Sequence, residues 1–167
     1  MRIAVQVEPG AEAPPAVEYR WDEDTDILSA RLQPGPQGDC AAGSVEVAGA
    51  DGSWLILDLT AGRINGIEVA VWPDVRKRAT LEPPDAAETA QAVVRAAGPR
   101  GQVTSLELST PVLAEADQSE RTIHFRLGDQ RRARTLRVGR DLLLDLDAQS
   151  RIAGVWLLNV PPFPGEA

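Results

Sequence analysis

The stretch Trp54–Trp72, WLILDLTAGRINGIEVAVW, is the part of the sequence that says most about the fold. Two apolar runs flank Ala61-Gly62-Arg63, which is typical of two β-strands joined by a tight turn. Gly62 is expected to take the left-handed backbone conformation that such a turn needs. Gly66 lies inside the return strand, where it predicts a bulge or a close backbone approach.

The same pattern returns near the C-terminus as LLLDLDAQSRIAGVWLLNV, Leu142–Val160. Asp58 matches Asp145 at a spacing of 87 residues, whereas Gly66 matches Gly154 at a spacing of 88, so the second turn should be one residue longer. Residues 117–127 match residues 22–32 in the same way, at a spacing of 95. We interpret the chain as two related halves.

Alternating apolar residues predict further short strands in each half, and only one segment predicts a helix. The predicted strands outside the two hairpins are Ile3–Val7, Val17–Trp21, Ile27–Leu32, Ser44–Ala48, Val103–Leu108 and Thr135–Val138. The predicted helix is Asp85–Ala97, because Asp85 and Glu88 resemble a capping box and Gly98-Pro99 would end it.

The predicted fold is therefore mainly β with one helix: two tandem antiparallel β-meander repeats, related by a pseudo-twofold axis and joined by the helix. Residues 1–78 would form the first repeat, 79–101 the connecting helix and linker, and 102–167 the second, diverged repeat. We expect these parts to pack into one compact unit, as a fused dimer would.

Composition limits the function classes. The net charge of −8 and the pI of about 4.7 argue against nucleic-acid binding and against adhesion to anionic membranes. One cysteine, Cys40, and one histidine, His124, leave no internal disulfide and no thiolate zinc site within a single chain. With neither a signal-peptide pattern nor roughly 18 consecutive apolar residues, the sequence predicts a cytoplasmic protein without a membrane partner.

A family pattern is present in the first half and partly in the second. The first half carries Trp21-Asp22, Asp26, Leu28, Leu32, Asp58, Gly62 and Ile64–Val69; the second keeps Asp117, Ile123, Phe125, Leu127, Asp145, Ile152 and Gly154. These residues resemble the bacterial domain-of-unknown-function family numbered 2283. Arg121 and Trp156 stand where the pattern has Asp and Glu, so the second half looks like a degenerate copy. The resemblance implies a small interaction module and specifies no activity.

Asp22, Asp24 and Asp26 copy the first three ligand positions of an EF-hand calcium loop. Ile27 and Gln33 stand where that loop needs Gly and a bidentate Glu, so an EF-hand is excluded. A looser cation site that includes Glu68 stays open. We favour the other interpretation, a solvated turn whose carboxylates cap backbone N–H groups.

The sequence indicates no catalytic role for His124 or Cys40. His124 alternates with Ile123 and Phe125, so it should point away from the apolar face, and no partner for a catalytic base is evident. We predict a surface or interface histidine. Cys40 lies in a loop rich in Gly and Pro, beside Asp39 rather than a cation, so it is not predicted to be reactive.

Arginines concentrate in one part of this acidic chain. The candidate binding residues are Arg126, Arg131, Arg132, Arg134 and Arg137. They favour either a patch for phosphate, RNA or an acidic partner, or a charged sheet face paired with acidic residues of the same protein. We favour the paired sheet face over a binding patch, because the net negative charge opposes non-specific binding to nucleic acid.

The return strand of the second hairpin is apolar on both faces. Trp156 takes the place of Glu68, and Leu158 and Val160 extend the same face, which is too apolar for water. It should pack on the other half, on the helix or on a partner chain.

The function predicted from the sequence is a non-enzymatic protein-interaction module, with a protein partner or self-association and without a cofactor. The alternative is a small-ligand or cation-binding domain that uses Asp22, Asp24, Asp26 and Glu68. No nucleophile, base and orienting group can be assembled around one His and one Cys, so no catalytic residues are assigned.

Overall fold

The computed structural model describes residues 3–10, 12–33, 42–85, 88–94, 105–129 and 131–164. Within these ranges the chain forms β-strands and no helix, so the prediction of a mainly β fold is confirmed. The strands are β1 (Val5–Pro9), β2 (Ala16–Trp21), β3 (Leu28–Gln33), β4 (Ala42–Ala48), β5 (Trp54–Thr60), β6 (Arg63–Val71), β7 (Val75–Lys77), β8 (Glu88–Val94), β9 (Ser105–Ser109), β10 (Val112–Ala116), β11 (Ile123–Leu127), β12 (Arg134–Gly139), β13 (Leu142–Leu146) and β14 (Ile152–Leu157).

The hairpin of β5 and β6 forms as predicted. Thr60 pairs with Arg63 and closes a two-residue loop in which Ala61 and Gly62 have φ angles of 50° and 82°. Positive φ at both central residues is the pattern of a type I′ turn, whose twist matches that of the flanking strands. The ladder shifts register between Asp58 and Leu59, beside Gly66, so the bulge predicted at this glycine is present.

The second hairpin, β13 and β14, has the longer turn that the repeat spacing predicts. Leu146 pairs with Ile152, and the intervening loop has one residue more than the loop between Leu59 and Ile64. The Asp147 carboxylate accepts hydrogen bonds from the backbone N–H groups of Gln149 and Arg151, each at 2.9 Å. A side-chain cap on the backbone thus holds this wider turn.

The predicted helix is wrong, because residues 88–94 form β8. Burial alternates along this strand, with Ala90, Ala92 and Val94 buried and Glu88 and Gln91 exposed. The strand pairs antiparallel with β1 and parallel with β12. Helix propensities of Ala, Glu and Gln exceed those of strand formers by only about 0.5 kcal/mol per residue, so hydrogen bonding to two neighbouring strands decides the conformation.

The two halves have the same order of antiparallel strands. In the first half the order is β2-β3-β6-β5-β4, and in the second it is β10-β11-β14-β13-β12. The predicted meander is wrong, because β3 pairs with β6 and not with its successor β4, which is a Greek-key arrangement. The Cβ of an alanine at Gly66 would lie 2.6 Å from the carbonyl oxygen of Ala30, so this glycine permits the close approach of β3 to β6.

Three parallel pairs make the sheet mixed rather than antiparallel throughout. They join β7 to β10, β8 to β12, and β9 to β4. The strand β7 belongs to the first predicted repeat but pairs in the second half, and β9 does the reverse. Each half therefore contributes one strand to the other, β7 before the predicted linker and β9 after it.

The inner faces of both halves share one hydrophobic core, to which Leu28, Ile67, Phe125 and Leu144 contribute. The hydroxyl group of Tyr19 on β2 donates to the carbonyl oxygens of Leu158 (2.6 Å) and Asp141 (3.2 Å) in the second half.

The indole N–H of Trp21, also on β2, donates to the carbonyl oxygen of Pro161 at 2.9 Å. Polar tips of otherwise apolar side chains thus fix how the halves face each other.

Candidate functional site

The outer face of the second half carries the candidate site. Along β11, Ile123, Phe125 and Leu127 enter the core, so His124 and Arg126 lie on the opposite face. Register places His124 opposite Trp156 and Arg126 opposite Gly154 on β14. Gly154 in turn lies opposite Asp145 on β13, so the imidazole reaches the Asp145 carboxylate diagonally across β14.

Asp145 is the centre of a buried hydrogen-bond network. The residue is 2% exposed, and its carboxylate lies 2.9 Å from His124 Nε2. It accepts hydrogen bonds from the Thr135 hydroxyl at 2.8 Å and from the Trp156 indole N–H at 3.1 Å and 3.2 Å. Three donors around one buried carboxylate compensate for its lost hydration.

The imidazole is held in place on a second side by aromatic stacking. His124 stacks on Trp156 with ring centroids 4.2 Å apart and an interplanar angle of 26°. Its side chain is 16% exposed, so the histidine predicted to lie at a surface or an interface is largely buried within this chain, and it points away from the core face. The stacking also helps cover Trp156, which is 4% exposed.

Gly154 keeps the space through which His124 and Asp145 meet. A Cβ at this position would lie 2.9 Å from His124 Nε2, 3.0 Å from Asp145 Oδ2 and 2.8 Å from the carbonyl oxygen of Phe125. Real Cβ atoms do not tolerate such distances without a shift of their neighbours. Gly154, which the repeat matches to Gly66, is therefore also required by the side chains around it.

A surface cavity of about 370 Å³ opens above this network. Its lining residues are His124, Arg126, Arg131, Arg132, Asp145 and Ala153. All three arginines are exposed, and none forms an ion pair with an acidic side chain in the described ranges. Three guanidinium groups without an ion-pair partner among the described residues thus line one cavity, beside the Asp145 carboxylate, in a chain of net charge −8.

The other two arginines of the predicted patch lie elsewhere. Arg134 forms an ion pair with Glu88 of β8, and Arg137 donates from Nη1 to the carbonyl oxygen of Arg140 at 2.6 Å. Neither contributes to the lining of the cavity. The cluster of five therefore divides into a group of three at the cavity and two side chains with internal partners.

The corresponding place in the first half is polar but lacks the network. Asp58 pairs with Gly66 as Asp145 pairs with Gly154, and Ser29 and Glu68 stand where the second half has His124 and Trp156. The Ser29 hydroxyl lies 3.5 Å from Glu68 Oε1, at the limit of a hydrogen bond. Burial raises the pKa of Asp58, and the positive charge of Arg31 opposes that rise.

The acidic turn is arranged by backbone contacts. Asp22 accepts a hydrogen bond from the N–H of Asp24 on its side chain (2.9 Å) and from the N–H of Asp26 on its carbonyl oxygen (2.9 Å). Asp22 and Glu68 both line a shallow cavity of about 440 Å³, whereas Asp24 and Asp26 do not. Among the described residues, no group of three or more His, Cys, Asp and Glu side chains is placed to hold a metal ion.

An aromatic cavity of about 480 Å³ lies where the ends of the two halves meet, and the sequence did not indicate it. Trp21 stacks on Trp72 with centroids 5.8 Å apart and contacts Phe163 edge-on at 5.3 Å. Val75 and Ile123 add apolar walls to this cavity. Its residues come from distant parts of the chain, so no local motif could have marked it.

The contact between His124 and Asp145 was also missed by sequence reasoning. The repeat spacing, which matches Asp145 to Asp58, is the one signal in the sequence that marks Asp145. Its meeting with His124 depends on the strand order β11-β14-β13, which is not a local property of the sequence. Cys40 lies outside the described residues.

Comparisons with known proteins add no functional assignment. Neither a scan against protein-family models nor a search of curated proteins finds a match to this chain. Within the part of the chain that the structure describes, no helix has the length and apolar character needed to cross a membrane.

Proposed function

We propose that this protein is a non-enzymatic interaction module that binds an acidic segment of a partner protein. The observation that supports this proposal is the convergence of Arg126, Arg131 and Arg132 on one cavity. Guanidinium groups form bidentate hydrogen bonds with carboxylates and phosphates, and they are less strongly hydrated than ammonium groups. In an acidic protein, three such groups without ion-pair partners favour an anionic ligand at this position.

The rest of the molecule favours a local contact over general binding of polyanions. A net charge of −8 repels long anionic polymers over distances comparable with the Debye length, about 10 Å at 0.1 M salt. A short acidic segment can enter the cavity without approaching the remaining acidic surface closely. The proposal therefore predicts binding that weakens with added salt and requires the arginines of the cavity.

The test is fluorescence anisotropy with a labelled peptide of alternating Glu and Ala. We expect it to bind the wild-type protein, and a peptide of alternating Lys and Ala not to bind. Replacing Arg126, Arg131 and Arg132 by Ala should weaken binding by at least about tenfold, because each lost charge-assisted hydrogen bond contributes roughly 1.5–3 kcal/mol.

The matched control replaces Arg76, Arg121 and Arg140, three exposed arginines elsewhere, by Ala. It removes the same net charge, so equal weakening in both variants would mean general electrostatics and would contradict the proposed site. Absence of binding to the wild-type protein would refute an acidic-segment module.

We further propose that the halves descend from one duplicated unit related to the family numbered 2283, and that the protein is cytoplasmic. The common strand order supports the duplication. So do the equivalent register shifts after Asp58 and after Asp145. Replacement of Ser29 and Glu68 by His124 and Trp156 would then be the divergence that created the binding cavity.

The alternative function, cation binding at Asp22, Asp24, Asp26 and Glu68, has a simple test. Calcium would raise the melting temperature of the wild-type protein and not that of Asp24→Ala. The division of these side chains between a backbone-capped turn and a shallow cavity gives no independent support to this alternative.

A further inference from the structure

We infer that the cavity above Asp145 recognises a phosphoryl group, so that the preferred partner segment is phosphorylated on a side chain. This inference rests on the proposed function and names the chemical group at the centre of the same site. It follows from the hydrogen-bond donors on the walls of the cavity and from the hydrogen bond between His124 and Asp145. It follows also from the lack of an exposed aromatic face on which a nucleic-acid base could stack.

The hydrogen-bond network determines how the imidazole is presented. The Asp145 carboxylate accepts from the Thr135 hydroxyl and the Trp156 N–H, so His124 Nε2 carries a proton and is the third donor. The other ring nitrogen, Nδ1, forms no hydrogen bond with any residue in the described ranges. The ring of His124 also lines the cavity.

The walls of the cavity supply more donors than a carboxylate can use. Each of the three arginine side chains carries up to five N–H donors in a planar fork. A planar carboxylate is satisfied by one such fork, whereas a phosphate monoester has three terminal oxygens and a charge of about −1.5 to −2 at neutral pH. A tetrahedral dianion therefore matches three guanidinium groups better than a side-chain carboxylate does.

Asp145 is the positioning residue of this arrangement. Its oxygens contact His124, Thr135 and Trp156, which occupy most of the carboxylate's lone pairs. Gly154 allows this contact by leaving the space between the two side chains open.

The same cavity is unsuited to a nucleotide base. Trp156, the nearest aromatic side chain, is 4% exposed and is covered by His124. Recognition of single-stranded nucleic acid uses exposed aromatic faces on which bases stack. Among the described residues that line the cavity, His124 alone has a ring. The favoured source of the phosphoryl group is therefore a phosphorylated protein segment.

The experiment compares two labelled peptides of Glu and Ala with one central serine, one phosphorylated on that serine and one not. We expect the phosphorylated peptide to bind the full chain at least about tenfold more tightly, with inorganic phosphate competing for its binding. His124→Gln should reduce the ratio of the two affinities, because His124 lines the cavity that receives the phosphoryl group. Arg76→Ala, as a control, should alter neither affinity.

Nuclear magnetic resonance gives a readout that does not depend on a variant. His124 is the only histidine, so its ring nitrogen signals need no assignment by mutation. In the free protein the signals should report a proton on Nε2, and the phosphorylated peptide alone should shift Nδ1. In Asp145→Asn the proton should no longer be confined to Nε2.

The outcomes separate the two proposals. Equal binding of both peptides, with no change at Nδ1, would overturn the phosphoryl inference and leave the acidic-segment module standing. Failure of both peptides to bind would overturn both. Tighter binding of a labelled single-stranded RNA than of the phosphorylated peptide would overturn the choice of a protein segment.

Discussion

Tyr19 shows how one side chain can report on the contact between the halves. It is the only tyrosine, and its hydroxyl group donates across the core to Leu158 and Asp141. Burial, assisted by the negative charge of Asp141, raises the pKa of this phenol well above its ordinary 10.0. Below pH 10 both folded and unfolded chains keep the proton, so the contact stabilises the fold in full.

We predict that the free energy of unfolding decreases as the pH rises above about 10, because the unfolded chain ionises Tyr19 while the folded chain retains the proton. Tyr19→Phe should lower stability at neutral pH by roughly 0.5–1.5 kcal/mol and remove this part of the alkaline decrease. Denaturant titrations across the pH range test the stability, and tyrosinate absorbance follows ionisation of the one phenol. Ionisation near pH 10 in the folded protein would contradict the prediction.

The residues of the candidate site differ in how visible they are in the sequence. Arg126, Arg131 and Arg132 stand out as basic residues in an acidic chain, and the repeat marks Asp145 and Gly154. The contact between His124 and Asp145, 21 positions apart in the chain, depends on the register of β11, β13 and β14. The internal partner of Arg134, Glu88 of β8, likewise belongs to a distant element.

At the level of elements, β8 shows that pairing with distant strands can override the helix propensity of a segment. Gln91 is exposed on this strand and lies opposite Glu8 of β1. We predict that Gln91→Val is more stable than Gln91→Ala by up to about 1 kcal/mol, because β-branched residues favour strands and alanine does not. In an exposed helix the order would be reversed by about 0.5 kcal/mol. Thermal and denaturant unfolding of the two variants decide between these orders.

At the level of the whole molecule, the exchange of β7 and β9 between the halves predicts cooperative unfolding. Each half uses a strand contributed by the other, and both share one core. We expect near-ultraviolet and far-ultraviolet circular dichroism to follow one coincident transition. Residues 1–78 expressed alone should not fold, because they lack β8 and β9. Two separated transitions would contradict this expectation.

A pair of substitutions extends this test to the shared core. Phe125→Ala removes a fully buried ring and should destabilise both halves together by about 3–5 kcal/mol. Leu113→Ala, at a side chain that is 53% exposed, is the control and should change stability little.

The sequence by itself determined the two hairpins, the longer second turn and the bulge at Gly66. These features depend on residues close together in the chain: alternation of apolar side chains, a glycine that accepts positive φ, and an aspartate that caps its own turn. Only the tertiary structure decided that residues 88–94 form a strand, that β3 pairs with β6, and that His124 meets Asp145 beneath three arginines. The physical reason is that hydrogen bonding and burial between distant strands outweigh weak local propensities, and those pairings are not encoded by any single segment.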